Sequence, residues 1–443
     1  MRYLLCVLAL SGAALGDTPT AIALRDARVV TVSGPTLEHG TVLLRDGVIE
    51  AVGESVNIPA DAWVIEAGGL TVYPGLIDAL TVLDGPESSS ASAGARGTVS
   101  ARQAPSTPAP SAAVVRGPED RPNTYSWTRA ADLLNAADRR IEDARNNGFT
   151  TAVVYPGSGI FAGQGAVVNT AGEKRRMIVA SPAGQYVTLS YRNFGTFPGS
   201  LMGVLAYIRQ VYFDAEHYRE HRQAWERKLP GIPRPDYDRA LEGVLESPRV
   251  LLPARSGVEL DRMARLAAGL KTKAVLYGGD AGYQVAEELA RAGMPVLVSL
   301  KWPERSRDAN PEEAESLRTL ELRERAPSTP AALLKARVPF AFYADGAPAR
   351  DIPRAVKRAI DVGLPELAAV RALTLSAAEI YGVAGWMGSI EKGKIANLVV
   401  TDGPLFGEKS KLKYVFVDGV KYEPPPPDAP APGPGANVTG GAQ

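Results

Sequence analysis

The sequence predicts an α/β protein: a (β/α)8 TIM-like barrel carrying a small β-sandwich domain formed by the N- and C-terminal segments. Two observations predict it. From Trp127 onwards, short apolar runs alternate with helical stretches, the pattern of parallel strands joined by crossovers. Up to residue 73, and again from residue 387, β-branched runs are separated by tight turns, as in antiparallel sheets. One all-β unit split between the chain ends (17–73 with 387–423), with the barrel (74–386) inserted, accounts for both patterns.

Composition narrows the function. At 443 residues the chain can bury one large core and a smaller one. Its 49 basic and 49 acidic residues balance, which argues against nucleic acid or an anionic membrane surface as a partner. Residues 1–16 read as an export signal. Arg2 supplies the charged start, residues 3–10 the apolar core, and Ala14-Leu15-Gly16 a small-residue cleavage site before Asp17. A periplasmic or secreted location is expected, with no membrane association after cleavage. The single cysteine, Cys6, lies within this segment, so the mature chain is expected to hold no disulfide or Cys-ligated metal.

The elements follow in order. Residues 27–32 form a β-branched run turned by Ser33-Gly34-Pro35, and Asp46-Gly47 is a hairpin signal between runs 40–44 and 48–52. After a strand at 63–66, Pro74-Gly75 reads as a turn and Leu76-Ile77 as a strand start. Residues 86–117, rich in Ser, Ala, Pro and Gly, read as a flexible insertion at the barrel rim. Helix 128–147 precedes strand 149–155, which ends at Pro156-Gly157-Ser158-Gly159. Strands are expected at 186–191, 249–252, 274–277, 295–300 and 339–343. Helices are expected at 201–228, 257–270, 283–292, 356–362 and 365–373. Six or seven of eight barrel strands are thus placed. Strands 396–401 and 413–417, with a turn at Asp418-Gly419, return to the β unit, and the proline-rich 424–443 reads as a disordered tail.

Residues 74–82, Pro-Gly-Leu-Ile-Asp-Ala-Leu-Thr-Val, resemble the segment that opens the barrel in the amidohydrolase superfamily, close to its imidazolonepropionase-like members. There the motif runs Pro-Gly-Leu-Ile-Asp-x-His-x-His. Pro156-Gly157-Ser158-Gly159 with Gly163-Gln164-Gly165, then Ser181-Pro182-Ala183-Gly184, and Gly388 to Lys394 fit the same family in order and spacing. The resemblance covers nearly the whole mature chain, with Asn397 where the family usually has aspartate.

The resemblance implies a metal centre: two histidines after the first strand, a bridging lysine or glutamate, two later histidines, and an aspartate after the last strand. Such an ion lowers the pKa of a bound water and polarises the scissile carbonyl, while the aspartate shuttles the proton. Here the first pair is Leu80 and Val82, the bridging position falls near Tyr191, and the later histidines fall near Pro253 and Tyr277. Only Asp345 keeps its place. One carboxylate cannot hold a catalytic zinc, which takes about three protein ligands. No metal and no cofactor are expected.

The chain has three histidines. His39 falls in the β unit, and His217 to His221 spells H-x-x-E-H on the charged end of a helix, where a solvated face outweighs a peptidase motif. Arg255, Asp280 and Lys301, at strand C-terminal ends, are loop salt-bridge partners first and ligand contacts second. Tyr191, Arg255 and Tyr277 are the candidate ligand-binding residues.

The expectation is an exported, catalytically degenerate amidohydrolase. It would bind a small molecule in the barrel mouth, or pair with another copy or with an intact relative. The alternative is an active hydrolase of carbon–nitrogen bonds in cyclic amides or peptide-like substrates, with Asp345 as base. For the export signal, N-terminal sequencing of protein from the native host is expected to start near Asp17; an intact Met1 on soluble cytoplasmic protein would contradict it.

Overall fold

A computed structural model describes residues 21–83, 121–189, 197–305, 310, 312 and 314–425. The predicted export segment, the 86–117 insertion, Tyr191 and residues 426–443 lie outside the described residues.

The N-terminal segment supplies β1 (Ala21–Val29), β2 (Leu37–Arg45), β3 (Val48–Gly53), β4 (Ala62–Glu66) and β5 (Thr71–Pro74). The turn between β2 and β3 is Asp46-Gly47, with φ of 50° and 81°, the left-handed pair that matches strand twist in a two-residue hairpin. Strand β1 pairs antiparallel with β2 and parallel with both β4 and β5.

Strand β6 (Leu76–Leu83) then opens the α/β domain. Pro74-Gly75 does not turn the chain as its sequence predicts, because β5 runs into β6 with a single residue between them. The glycine is required by close approach instead. A Cβ on Gly75 would lie 2.7 Å from the Cβ of Thr150, while its backbone N–H donates to the Asn397 carbonyl at 2.8 Å.

Beyond it come β7 (Phe149–Pro156), β8 (Phe161–Gln164), β9 (Ala166–Asn169), β10 (Ile178–Ala180), β11 (Gln185–Val187), β12 (Val250–Ala254), β13 (Ala274–Gly278), β14 (Val296–Ser299) and β15 (Phe340–Tyr343). Strand β6 pairs in parallel with β7, and β11 to β15 form a consecutive parallel run. The fold is of barrel type, but it differs from the expected ring of eight. Among the described residues seven parallel strands fall in two sheets, ordered β10-β9-β7-β6 and β15-β14-β13-β12-β11-β8, and no ladder joins β6 to β15. Among the described residues between β11 and β12 the chain forms helices Leu201–Glu226 and Arg239–Glu246. The link between those helices carries Pro230, Pro233 and Pro235, which have no N–H to give a ladder.

Other differences have local causes. The expected helix 128–147 is two, Ala130–Leu133 and Arg139–Asn146, because the Asp138 carboxylate caps the second by accepting from the Arg140 N–H. The glycine-rich stretch after Pro156 holds the buried strands β8 and β9. Helix Leu375–Tyr381 adds a turn of wall that the apolar pattern did not separate from its neighbours.

Strands β16 (Leu398–Thr401), β17 (Leu412–Val417) and β18 (Val420–Tyr422) complete one eight-stranded sheet with the N-terminal strands through an antiparallel β16–β5 pair. Asn397 stitches this sheet to the barrel. It is 6% exposed, its amide donates to Thr151 and Asn169, and its side-chain oxygen accepts from the Asp418 N–H.

Because the side chain of Thr150 cannot withdraw its own Cβ, Gly75→Ala is expected to cost about 2 kcal/mol through forced repacking. Urea unfolding should show a lowered midpoint with an unchanged slope. A cost under about 0.5 kcal/mol, the ordinary range for an uninvolved surface site, would show that the seam has slack.

Candidate functional site

In a barrel, the C-terminal ends of the strands face one mouth. Here they bring tyrosines together: Tyr155 from β7, Tyr186 from β11, Tyr277 from β13 and Tyr343 from β15. Ring centroids are 5.4 Å apart for Tyr155 and Tyr186, and 5.1 Å for Tyr186 and Tyr277. These are tilted contacts within the favourable range for aromatic pairs. The Tyr277 hydroxyl donates to the Val187 carbonyl at 2.9 Å, and burial holds this phenol well above its ordinary pKa. The hydroxyls of Tyr155 and Tyr343 are buried without a hydrogen-bond partner among the described residues.

Beside the rings stands an ion cluster. Arg255, just past β12, donates from Nη2 to Asp345 Oδ2 at 2.6 Å and from Nη1 to Asp280 Oδ2 at 3.2 Å. The Ser299 hydroxyl donates to the same Asp345 oxygen at 3.0 Å. Burial works against the Arg255 charge, but the bond to Asp345 and the surrounding carboxylates outweigh it, and its pKa rises. Burial also pushes Asp280 up to about 6, against the pull of Arg255, and its Oδ1 has no hydrogen-bond partner among the described residues. Asp345 sits at φ +50°, a left-handed conformation that aspartate and asparagine tolerate better than most residues.

Asp78, from the barrel-opening motif, borders the mouth and is held there by hydrogen bonds. Its Oδ1 accepts from the Ala344 N–H at 3.0 Å and its Oδ2 from the Thr81 hydroxyl at 2.7 Å. Burial, only partly offset by these bonds, raises it to about 6. Two cavities meet at Asp345. One of about 740 Å³ is lined by Asp78, Leu80, Tyr186, Tyr277 and Tyr343. The other, of about 640 Å³, is lined by Arg255, Asp280, Lys301 and Trp302.

The structure thus joins three of the sequence candidates, Arg255, Asp280 and Asp345, in one cluster and sets Tyr277 in the tyrosine stack beside it. Lys301 is exposed on the rim. The histidines contribute nothing at the mouth. His39 Nδ1 lies 2.8 Å from an Asp26 carboxylate oxygen in the β unit. The rings of His217 and His221 are 6.5 Å apart, and His221 Nε2 lies 3.1 Å from the Pro233 carbonyl oxygen. The sequence reading missed Tyr186, Tyr343 and Ser299. A repeated signal was available, since runs such as Ala274-Val-Leu-Tyr277 and Phe340-Ala-Phe-Tyr343 place a tyrosine near the strand end.

The donor set does not fit a catalytic ion. Leu80 is 3% exposed and packed in the core with Val82 against it, the Tyr277 hydroxyl is engaged by a carbonyl, and Asp345 already faces a cation. Among the described residues no group of three His, Cys, Asp or Glu converges.

Residues 283–421 match the amidohydrolase family. An amidohydrolase from Thermotoga maritima MSB8 shares the fold at a TM-score of 0.71 and 24% identity, over 91% of this chain and 100% of that one. A second solved amidohydrolase gives 0.52 at 15% identity over 91% and 99% of the two chains. A Xaa-Pro dipeptidase with bound methionine in its active site gives 0.50 at 14% over 91% and 100%. At these identities the structural likeness speaks for the fold alone. No curated protein sequence matches the chain. The molecule is a barrel-type protein with an appended β domain. Its C-terminal part, residues 283–421, carries the amidohydrolase family match, and its fold is similar to that of the solved amidohydrolase from Thermotoga maritima.

Folded Asp78 keeps its proton to higher pH than the unfolded chain does. The folded state therefore binds more protons between pH about 4 and about 6, and the stability owed to this group falls as pH rises through that window. Replacing it with Asn removes the titration. The stability of wild type minus that of Asp78→Asn is expected to drop by roughly 2 kcal/mol from pH 4 to pH 7. Denaturant titrations at several pH values measure it, and a difference that stays flat would contradict the assignment.

Proposed function

We propose that this is an exported amidohydrolase-superfamily protein that has lost its metal ligands and acts as a catalytically degenerate binding protein or partner subunit. The observation that carries the reading is the Arg255–Asp345 pair. The one acid that the family pattern preserves is held at 2.6 Å by a guanidinium. A fixed cation there opposes a divalent ion by like-charge repulsion. Leu80 and Val82 add the second support, since aliphatic groups in the places of ligands fill volume and offer no lone pairs.

Binding is the function left to such a mouth. The tyrosine-lined cavity offers aromatic faces, and behind it the buried hydroxyl of Tyr343 has no partner among the described residues, a combination suited to a small organic ligand with a polar group. The proposal leaves two modes of association, with a second copy or with an intact amidohydrolase. No helix among the described residues is long and apolar enough to cross a membrane.

The solved relatives include enzymes named for hydrolysing amide-type bonds, so the test is turnover. A panel of dipeptides, N-acyl amino acids, lactams and hydantoins is expected to give none, with wild type and Asp345→Asn indistinguishable. The melting temperature of Asp345→Asn is expected to stay nearly unchanged: asparagine accepts the φ of +50°, and the lost ion pair is half solvent-exposed at Arg255. Reproducible wild-type turnover that disappears in Asp345→Asn would install the hydrolase with Asp345 as base.

A further inference from the structure

The opposite end of the barrel carries a second concavity, remote in chain position from the mouth residues. At the N-terminal ends of β13, β14 and β15 lies a cavity of about 800 Å³ into which Arg249, Lys273, Arg337 and Arg371 all contribute wall. Glu379 is the one acid among its described lining residues. Glu379 is taken by Arg371, whose Nη2 donates to Oε1 at 2.7 Å. Arg249 is anchored by carbonyls rather than by a carboxylate, donating from Nη1 to those of Ala183 and Tyr381. Among the described residues no carboxylate pairs with Arg249, Lys273 or Arg337. In a chain whose 49 bases and 49 acids cancel, four bases against one acid is a local excess.

Arg337 carries a second observation. It follows helix Thr329–Lys335 at φ +59°, in the left-handed position where helices commonly end on glycine. Its N–H bonds the Leu334 carbonyl, so the backbone there needs only the left-handed turn, and glycine would supply it without strain. The long cationic side chain is not what the turn asks for. Met294, Pro339 and Phe340 add apolar wall to the same cavity.

Like charges gathered over low-dielectric walls focus a positive potential and repel one another until an anion joins them. Arginine forks match planar carboxylate and phosphate oxygens in two-point contacts. We infer that this cavity is a binding site for a small organic polyanion bearing phosphate or carboxylate groups. The apolar wall would take the ligand's carbon skeleton. This inference does not rest on the reading of the barrel mouth.

The test is calorimetric titration of the full chain with pyrophosphate and with citrate, beside sodium chloride at equal ionic strength. A melting curve accompanies each condition. At least one of the two anions is expected to bind and to raise the melting temperature where chloride does not, with affinity falling as salt screens the charges. Which one binds tells phosphate from carboxylate ligands. Arg337→Gly is expected to melt at or above the wild-type temperature without anion, yet to bind at least tenfold more weakly, and adding Lys273→Ala should abolish the anion's effect. The inference is overturned if neither anion binds beyond the chloride control, or if the folded double variant binds as wild type does.

Discussion

The first and last strands of the barrel are held together by a carboxylate. Among the described residues β6 and β15 share no ladder, and the Asp78 side chain accepts the Ala344 N–H where a strand neighbour would have done so. The Tyr381 hydroxyl, donating to the Ala79 carbonyl, adds a second tie on the same strand. Ala344 immediately precedes Asp345, so the bond that closes the wall also fixes where the mouth's acid stands. That acid orients Arg255, and Arg255 in turn reaches Asp280. Three side chains from three separate strand ends, Asp345, Arg255 and Asp280, are therefore set by one half-buried carboxylate, whose pKa burial has raised.

Such an arrangement exchanges one kind of charge balance for another. A divalent ion among histidines satisfies acids by coordination and must be held by several donors at once. A guanidinium satisfies them by directed hydrogen bonds from a side chain that needs no assembly. On the proposed reading, the mouth has taken the second solution and let tyrosine rings occupy the interior. The packing is not sealed, however. Among the described residues, the hydroxyl of Tyr343 and one oxygen of Asp280 are buried without partners, each at a cost that a hydrogen bond would relieve.

Much of this was legible beforehand, and the limits have physical causes. Helix Leu201–Glu226 and strands β12 to β15 follow from apolar periodicity, which is strong where one face is buried. The meeting of Arg255 with Asp345 was not legible, because 90 residues separate them and sequence carries no register between strand ends. Pro74-Gly75 misled for a different reason. Glycine serves both turns and close approaches, and only the position of Thr150 tells which. Asn397, readable only as a departure from the family pattern, proves to be the seam between the two sheets.

The central claim is that a cation and aliphatic side chains stand where the family pattern holds an ion. Elemental analysis of protein purified mildly from its native host, without chelators, tests it most directly. The account predicts well under one zinc, manganese or iron per chain. A stoichiometric ion that persists after His217 and His221 are both replaced by Ala would contradict it.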